Sequence, residues 1–226
     1  MENILIGLLG SFLILDTTVV LQSLISQPLF LCTILGWILG DVQLGLQIGI
    51  YLQILWLSIM PVGAAVVPEG NTASFITTVL VFRYEQSSQH FHSVFIFAVL
   101  FSLLAGYVGG RLVVLFRKVN VRLLHKTHSG LAKGNCNILS IINLEAIIIH
   151  FILMFLLITI SLMIGDYLFS VSTYIPLTWE IYFKYALTAT LGVGAGLALT
   201  IYKEKNCRIL ILGGILFGGI ILIIFK

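Results

Sequence analysis

Long apolar runs alternate with short polar breaks along the whole chain. In the C-terminal half, four runs come close to the ~20 residues that a helix needs to cross a bilayer. They are Phe91 to Phe116, Ala146 to Ile164, Tyr182 to Ile201 and Ile209 to Phe225. Because these runs are spread evenly, they predict several membrane-spanning helices rather than one anchor that carries a soluble domain.

The first 82 residues carry shorter apolar runs with polar interruptions. Asp16 breaks the opening run, the residues SQP at 26 to 28 break the next one, and the run from Pro28 to Gly40 comprises only 13 residues. Short segments of this kind are typical of discontinuous or re-entrant helices in transporters. Their free backbone groups must line a protein interior or a wet cavity, because lipid offers no hydrogen bonds.

The stretch PVGAAVVPEGNTAS, at residues 61 to 74, places two prolines and several polar side chains between apolar runs. Such a break is either a loop outside the bilayer or a binding site inside it. For Glu69 and Asn71 the binding site is the favoured interpretation. We therefore predict non-helical backbone at a substrate cavity over residues 61 to 74.

Composition extends the membrane assignment to the whole chain. The 226 residues are 59% hydrophobic and 9% charged, and the mean hydropathy is +1.12, whereas an ordinary globular chain is about a quarter charged. We expect an all-α, polytopic membrane protein with about seven to nine helical segments, several of them half-length. One domain is predicted over residues 1–226, with a broken-helix substrate half at 1–82 and regular spans at 83–226.

Two further features refine this picture. The opening segment lacks a basic region and a small-residue cleavage site, so its helix is expected to be retained. Glycines at four-residue spacing predict close helix packing or oligomerisation, unless they only reflect how common glycine is in membrane helices. These pairs are Gly36/Gly40, Gly45/Gly49, Gly106/Gly110 and Gly192/Gly196.

The net charge of +3 is unevenly distributed. Residues 117–135 contain five bases and no acid, and residues 203–208 add three bases against one acid. By the positive-inside rule, both segments are predicted to be cytoplasmic loops. Residues 165–180, which lie between these two basic segments, carry Asp166 and Glu180 without a base, so they are predicted to lie on the outer side of the membrane.

Polar side chains within the apolar runs are expected to have a structural or functional role, because placing an ionisable group at the bilayer centre costs at least about 2.5 kcal/mol. Asp16, Asp41 and Glu69 have no base within residues 1–82 to pair with. Carboxylates and amides suit the hydroxyl groups of a sugar, and Trp37 or Trp56 could cover the apolar face of its ring.

Each polar group also has a structural interpretation that the sequence leaves open. Asp41 follows Gly40 and precedes an apolar run, which is an N-cap pattern. Gln53 could form an interhelical hydrogen bond. His150 is expected to form a buried polar pair with Glu145 or to lie at an interface, and less readily to relay protons.

Motifs of soluble catalysis are absent from the sequence. It contains no glycine-rich phosphate loop, no GxSxG and no HExxH. Cys32, Cys136 and Cys207 lack the paired spacing of a disulfide framework or zinc site. We expect no catalytic centre, no metal, no cofactor and no nucleic-acid partner.

An ordered set of residues between Ile14 and Val81 resembles the mannose/fructose/sorbose-family IIC component of the bacterial sugar phosphotransferase system. The set comprises Leu15-Asp16, Gln22, Pro28-Leu29, Gly36, Leu39-Gly40-Asp41, Gly45, Gly49, Leu52, Trp56-Leu57, Pro61, Gly63-Ala64-Ala65 and Pro68. Beyond Val81 the resemblance is one of hydropathy and of a basic cytoplasmic loop. Four positions depart from the family pattern: Gln27, Gln53, Ser58 and Glu69 stand where it has Arg, Glu, Gly and Asp.

The resemblance implies a sugar-translocating subunit of the bacterial inner membrane, which spans it several times and is no phosphoacceptor itself. It implies a IID membrane partner and soluble IIA and IIB components that carry the phosphoryl group. The alternatives are a transport-inactive scaffold or sensor and, more weakly, a membrane-embedded enzyme. Expected sugar contacts are Asp16, Gln22, Gln53, Glu69 and Asn71, and expected docking residues for the phosphocarrier are Arg117, Lys118, Arg122 and Lys126.

Overall fold

A computed structural model describes residues 2–57, 68–84, 91–131, 137–169 and 177–201, without the side chains of 126–131 and 197–201. These ranges form seven α-helices and one short 3-10 turn. The helices are α1 (Glu2–Thr18), α2 (Pro28–Leu39), α3 (Val42–Trp56), α4 (Gly70–Tyr84), α5 (Phe91–Leu131), α6 (Asn137–Phe169) and α7 (Glu180–Ile201), and the 3-10 turn is Leu177–Trp179. The all-α prediction is confirmed.

Helices α2 and α3 form a tight hairpin of two short helices. They contain 12 and 15 residues, so they measure about 18 and 22 Å, less than the ~30 Å hydrocarbon core. Gly40 ends α2 in the left-handed conformation with φ 98°, and Asp41 starts α3 as N-cap by accepting a hydrogen bond from Leu44 N at 2.9 Å. The predicted N-cap is confirmed.

Glycines let the two hairpin helices touch backbone to backbone. A Cβ at Gly36 would lie 2.9 Å from Gly45 Cα, and one at Gly49 would lie 3.0 Å from Pro28 O. The predicted close packing is therefore confirmed here. It is not confirmed for Gly192 and Gly196, where no described atom lies within 4 Å of an added Cβ.

Helix α4 is the centre of the bundle. All residues from Asn71 to Val81 are buried, and α1, α2, α3, α5 and α6 pack around them. A helix buried on every side needs no amphipathic stripe. Its hydroxyls bond locally or to neighbours, as Thr77 does to Ser102 of α5 at 2.5 Å.

One end of the bundle is held by two charged contacts. Arg83 Nη1, in the last turn of α4, lies 2.7 Å from Asp166 Oδ2 of α6, and Asn3 of α1 donates to the same oxygen at 2.8 Å. Glu180, the first residue of α7, accepts a hydrogen bond from the backbone of His92 at 2.6 Å. We call this end of the bundle the Asp166 end.

Helices α5 and α7 begin at the Asp166 end and run towards the opposite end of the bundle, whereas α6 runs back towards the Asp166 end. This antiparallel order agrees with the predicted alternation of the last spans, and α5 and α6 are long and apolar enough to cross a membrane. The predicted runs at 91–116, 146–164 and 182–201 lie within α5, α6 and α7. The predicted span from Ile209 to Phe225 lies outside the described residues.

Two sequence predictions of irregular structure are wrong in part. The basic segment 117–135 is helical up to Leu131, because nothing between Gly110 and Gly130 ends a helix, and Arg, Lys and Leu favour one. Likewise, Gly70 to Ser74 form the first turns of α4 rather than non-helical backbone. Residues 58–67 and 132–136 lie outside the description.

The predicted division of the chain into two halves at residue 82 stays a prediction, and α4 runs across this position.

Candidate sugar-binding site

The loop between α1 and α2 is organised by Asp16, which is buried with 8% of its surface exposed. One carboxylate oxygen accepts from the backbone and hydroxyl of Ser23 at 2.7 and 2.8 Å. The other accepts from the backbone and hydroxyl of Ser26 at 3.2 and 3.3 Å. The loop thus folds around one carboxylate. Hydrogen bonds from the loop itself stabilise this charge, in the role that a basic side chain would otherwise have.

Asn71 connects this loop to α4. Its Nδ2 donates to Thr17 Oγ1 at 3.2 Å and to Ser26 Oγ at 3.4 Å. Its carbonyl oxygen accepts no hydrogen bond from another described residue. The end of α1, the start of α2 and the start of α4 therefore meet at one polar cluster, which we define as Asp16, Thr17, Ser23, Ser26 and Asn71.

Glu69 lies at the start of α4, beside this polar cluster. Its carboxylate accepts from the backbone N–H groups of Asn71 and Thr72, as an N-cap does. Its own N–H donates to Gly106 O of α5 at 2.8 Å. A Cβ at Gly109 would lie 3.0 Å from Glu69 Cβ, so these glycines make room for Glu69.

Gln53 lies on α3 and bonds to the start of α2. Its Oε1 accepts from Leu29 N at 3.2 Å, in the first turn of α2, which begins with Pro28. This is an interhelical hydrogen bond to backbone, as the structural interpretation predicted. A sugar contact by Gln53 stays a prediction.

Gln22 lies in the strained part of the loop. Leu21, Gln22 and Leu24 have positive φ values of 56°, 53° and 69°, which non-glycine residues rarely adopt. The side chain of Gln22 is exposed and donates only to Thr18 O at 3.5 Å among the described residues. Of the five predicted sugar contacts, Asp16 and Asn71 are linked through Ser26, and Glu69 accepts from the backbone N–H of Asn71. Gln22 and Gln53 bond elsewhere, to Thr18 O and Leu29 N.

The two tryptophans proposed to cover a sugar ring are placed differently. Trp37 is 74% exposed on the surface of α2. Trp56 is buried against Gly70, where an added Cβ would lie 2.7 Å from Cδ2 of the ring. Trp56 is therefore the tryptophan beside the start of α4.

Sequence reasoning missed several members of the site. Thr17, Ser23 and Ser26 are common residue types that carry no motif. Only the spacing from Asp16 to two nearby serines could have suggested a loop held by a carboxylate. His150 is buried as predicted, but its Nε2 lies 3.4 Å from Thr18 Oγ1, and Glu145 is exposed. The predicted pair of His150 with Glu145 is wrong.

The predicted docking residues lie at the end of the bundle opposite to the Asp166 end. Arg117, Lys118 and Arg122 are exposed on α5. Lys126 continues the same helix, and its side chain lies outside the description. In the described part of the chain, this basic surface is thus a helical extension of the apolar part of α5 rather than a loop.

Known proteins share both the sequence pattern and the fold. The family model described as the sorbose-specific IIC component of the phosphotransferase system matches residues 1–222. The mannose-specific EIIC component of Escherichia coli (strain K12) is 29% identical over 124 residues, which are 55% of this chain and 44% of that protein. The sorbose-specific EIIC component of Lacticaseibacillus casei is 32% identical over 124 residues, 55% of this chain and 42% of that protein.

The fold is shared with solved membrane-protein structures. A structure described only as a membrane protein superimposes with a TM-score of 0.77 at 21% identity, over 97% of this chain and 87% of the other. The mannose transporter ManYZ in complex with microcin E492, solved by cryo-electron microscopy, gives 0.60 at 22% identity, over 96% and 86%. The chain spans less than half the length of the curated relatives above. Because the family model covers residues 1–222, the chain belongs to the family of sorbose-type IIC components of the phosphotransferase system.

Proposed function

We propose that this chain is the membrane-translocation subunit of a mannose-type phosphotransferase transporter. It moves a hexose or related sugar across the bacterial inner membrane, while IIA and IIB components carry the phosphoryl group and a IID subunit completes the membrane complex. The observation that carries the proposal is the hydrogen bonding of three buried residues, Asp16, Ser26 and Asn71, where α1, α2 and α4 meet.

The depth of this cluster supports a translocation site. Glu69 N–H bonds to Gly106 O, and Gly106 lies 15 residues along α5 from Phe91, a rise of about 22 Å. That distance from the Asp166 end falls within a ~30 Å hydrocarbon core. Irregular backbone and polar groups at such depth are tolerated where they line a cavity, and they mark substrate sites in transporters.

The residues around the cluster have distinct proposed roles. Asn71 contacts the sugar directly, because its carbonyl oxygen is left over from the bonds that hold it. Asp16 maintains the conformation of the loop. Its carboxylate also accepts hydrogen bonds from sugar hydroxyl groups, which take the place of a serine hydroxyl. Glu69 and Gln53 line the site from α4 and α3 while they bond to helix starts, and Gln22 lies at its exposed side.

We further propose that the basic end of α5 faces the cytoplasm and that the Asp166 end faces outward. The positive-inside rule and the exposure of Arg117, Lys118 and Arg122 support this orientation. With Lys126, these residues form the docking surface for the soluble phosphocarrier. The phosphoryl group then stays on the partners, and the chain itself supplies the sugar path.

Uptake by the complete transporter tests the site. Asn71→Ala removes the proposed sugar contact, and we expect its uptake of radiolabelled mannose, fructose or sorbose to fall about five- to a hundredfold, because losing a buried polar partner costs about 1–3 kcal/mol. Gln47→Ala is the matched control, since Gln47 is an exposed amide whose Nε2 contacts Tyr51 Oη at 3.1 Å. It should transport normally.

Two results would contradict the proposal in different ways. Normal uptake by Asn71→Ala would remove the polar cluster from the sugar path. Absence of uptake by the unsubstituted chain, folded and assembled with its partners, would favour the transport-inactive scaffold or sensor.

A further inference from the structure

His150 is a buried histidine at the level of the polar cluster, on the neighbouring helix α6. Its side chain is 1% exposed, and its ring centroid lies 4.8 Å from that of Phe116. Its Nε2 lies 3.4 Å from Thr18 Oγ1. Thr18 is the last residue of α1, so the histidine contacts the point where α1 ends and the polar loop begins.

The histidine does not suit a purely structural role. Its Nδ1 is buried and has no hydrogen-bond partner within the described part of the chain. An unpaired buried polar atom destabilises a fold. For stability alone, leucine would serve better at this position, and what the histidine adds is a polar contact with the end of α1.

That contact acts on the sugar site through adjacent residues. Thr17 accepts the hydrogen bond from Asn71, and Asp16 holds both serines of the loop. We propose that His150 is a positioning residue of the sugar site, which holds the end of α1 so that Asp16 and Asn71 face the sugar together. This inference rests on the function proposed above.

Loss of a positioning contact has a defined kinetic signature. When only a fraction of molecules holds the binding-competent arrangement, the apparent dissociation constant rises by the reciprocal of that fraction. The residues that contact the sugar are still present, so the maximal rate should stay unchanged. A hydrogen bond of ordinary strength corresponds to a change of about fivefold.

The test compares substitutions on both sides of the contact in the complete transporter. His150→Leu and Thr18→Val should each raise the KM for uptake about fivefold, with Vmax unchanged. The double variant should raise KM no further, because both changes remove the same contact. His150→Gln, which keeps a polar group within reach of Thr18, should have a KM close to that of the unsubstituted chain.

A thermal measurement and a control separate positioning from folding. The Tm of purified His150→Leu should equal or exceed that of the unsubstituted protein, since the unpaired nitrogen is gone. Glu145→Gln is the matched control on the same helix, because Glu145 is exposed and was the partner that the sequence indicated. It should change neither KM nor Vmax.

Unchanged KM in Thr18→Val, or a loss of Vmax at constant KM in His150→Leu, would overturn the inference. If His150→Leu does not accumulate, Thr18→Val alone decides, because its position is exposed. These results differ from a failure of the proposed function, in which the unsubstituted transporter takes up no sugar or Asn71→Ala transports normally.

Discussion

At the scale of single residues, the Asp16 carboxylate balances the strain of the loop that surrounds it. Three non-glycine residues of the loop have positive φ, and each costs about 1–3 kcal/mol. Four hydrogen bonds to the carboxylate oppose this cost, and bonds to a charged group contribute about 1.5–3 kcal/mol each. The bonds are sufficient to hold the loop, provided that the carboxylate keeps its charge.

Asp16→Asn tests this balance. The amide keeps one acceptor oxygen and replaces the other by a donor. The backbone N–H of Ser23 or Ser26 therefore loses its acceptor, while the hydroxyl of that serine can turn to accept from the amide. We expect unfolding to become easier by about 1–3 kcal/mol, seen as a lower Tm in a thermal shift assay of the purified protein.

Asp41→Asn is the matched control for the same change of charge. Asp41 caps α3 from an exposed position, and asparagine is an equally good N-cap, so the Tm should hardly change. Equal Tm values for the two variants would show that Asp16 is no more important for the fold than an ordinary helix cap.

At the scale of helices, the α2–α3 hairpin depends on the absence of side chains at its contact. A Cβ at Gly45 would collide with the carbonyl oxygen of Cys32 and lie 2.7 Å from Gly36 Cα. Both are backbone atoms, which cannot swing aside as a flexible side chain does. The helices could accommodate the added methyl group only by moving apart.

Gly45→Ala should therefore destabilise the protein by about 1–3 kcal/mol, even though alanine favours a helix by about 1 kcal/mol over glycine. Gly192→Ala on α7 provides the comparison, because no described atom lies within 4 Å of its added Cβ. Its Tm should stay equal or rise. A Gly45→Ala variant as stable as Gly192→Ala would mean that the hairpin contact is looser than the structure shows.

Helix α5 shows why the sequence prediction of a basic loop was wrong for residues 117–131. A change from apolar to basic residues at Arg117 marks where a helix leaves the bilayer, but it does not end the helix. Backbone hydrogen bonds continue as long as the residues favour them, and α5 extends to Leu131. The charge pattern therefore predicts a membrane boundary near Arg117, while backbone propensity governs where the helix ends.

At the scale of the whole molecule, the two ends of the bundle present different surfaces. At the Asp166 end, the ion pair between Arg83 and Asp166 joins α4 to α6, and the hydrogen bond from Asn3 to Asp166 joins α1 to them. The opposite end presents the bases of α5 to solvent. A soluble partner with an acidic face would be attracted to these bases of α5, and the attraction would weaken as salt is added.

Lys118→Glu tests this polarity in the complete transporter. We expect the concentration of phosphocarrier needed for half-maximal uptake to rise about three- to tenfold at low ionic strength, because the substitution replaces attraction by repulsion. Binding of sugar to the membrane complex, measured without the carrier, should stay unchanged.

Lys184→Glu is the control, as an exposed lysine near the Asp166 end. It should leave the response to the phosphocarrier unchanged. Equal effects of the two reversals would contradict a docking surface at the basic end.

The sequence by itself determined the helical membrane class, the broken N-terminal half, the cap at Asp41 and the family pattern around Asp16 and Trp56. These properties depend on hydrophobicity and on neighbours along the chain, which a sequence displays directly. The tertiary structure alone decided that Asp16 bonds to serines of its own loop, that Asn71 joins α4 to α1, and that His150 contacts Thr18 instead of Glu145. Such pairings depend on how helices distant in sequence pack together, because a buried polar atom takes whichever partner the packing brings within reach.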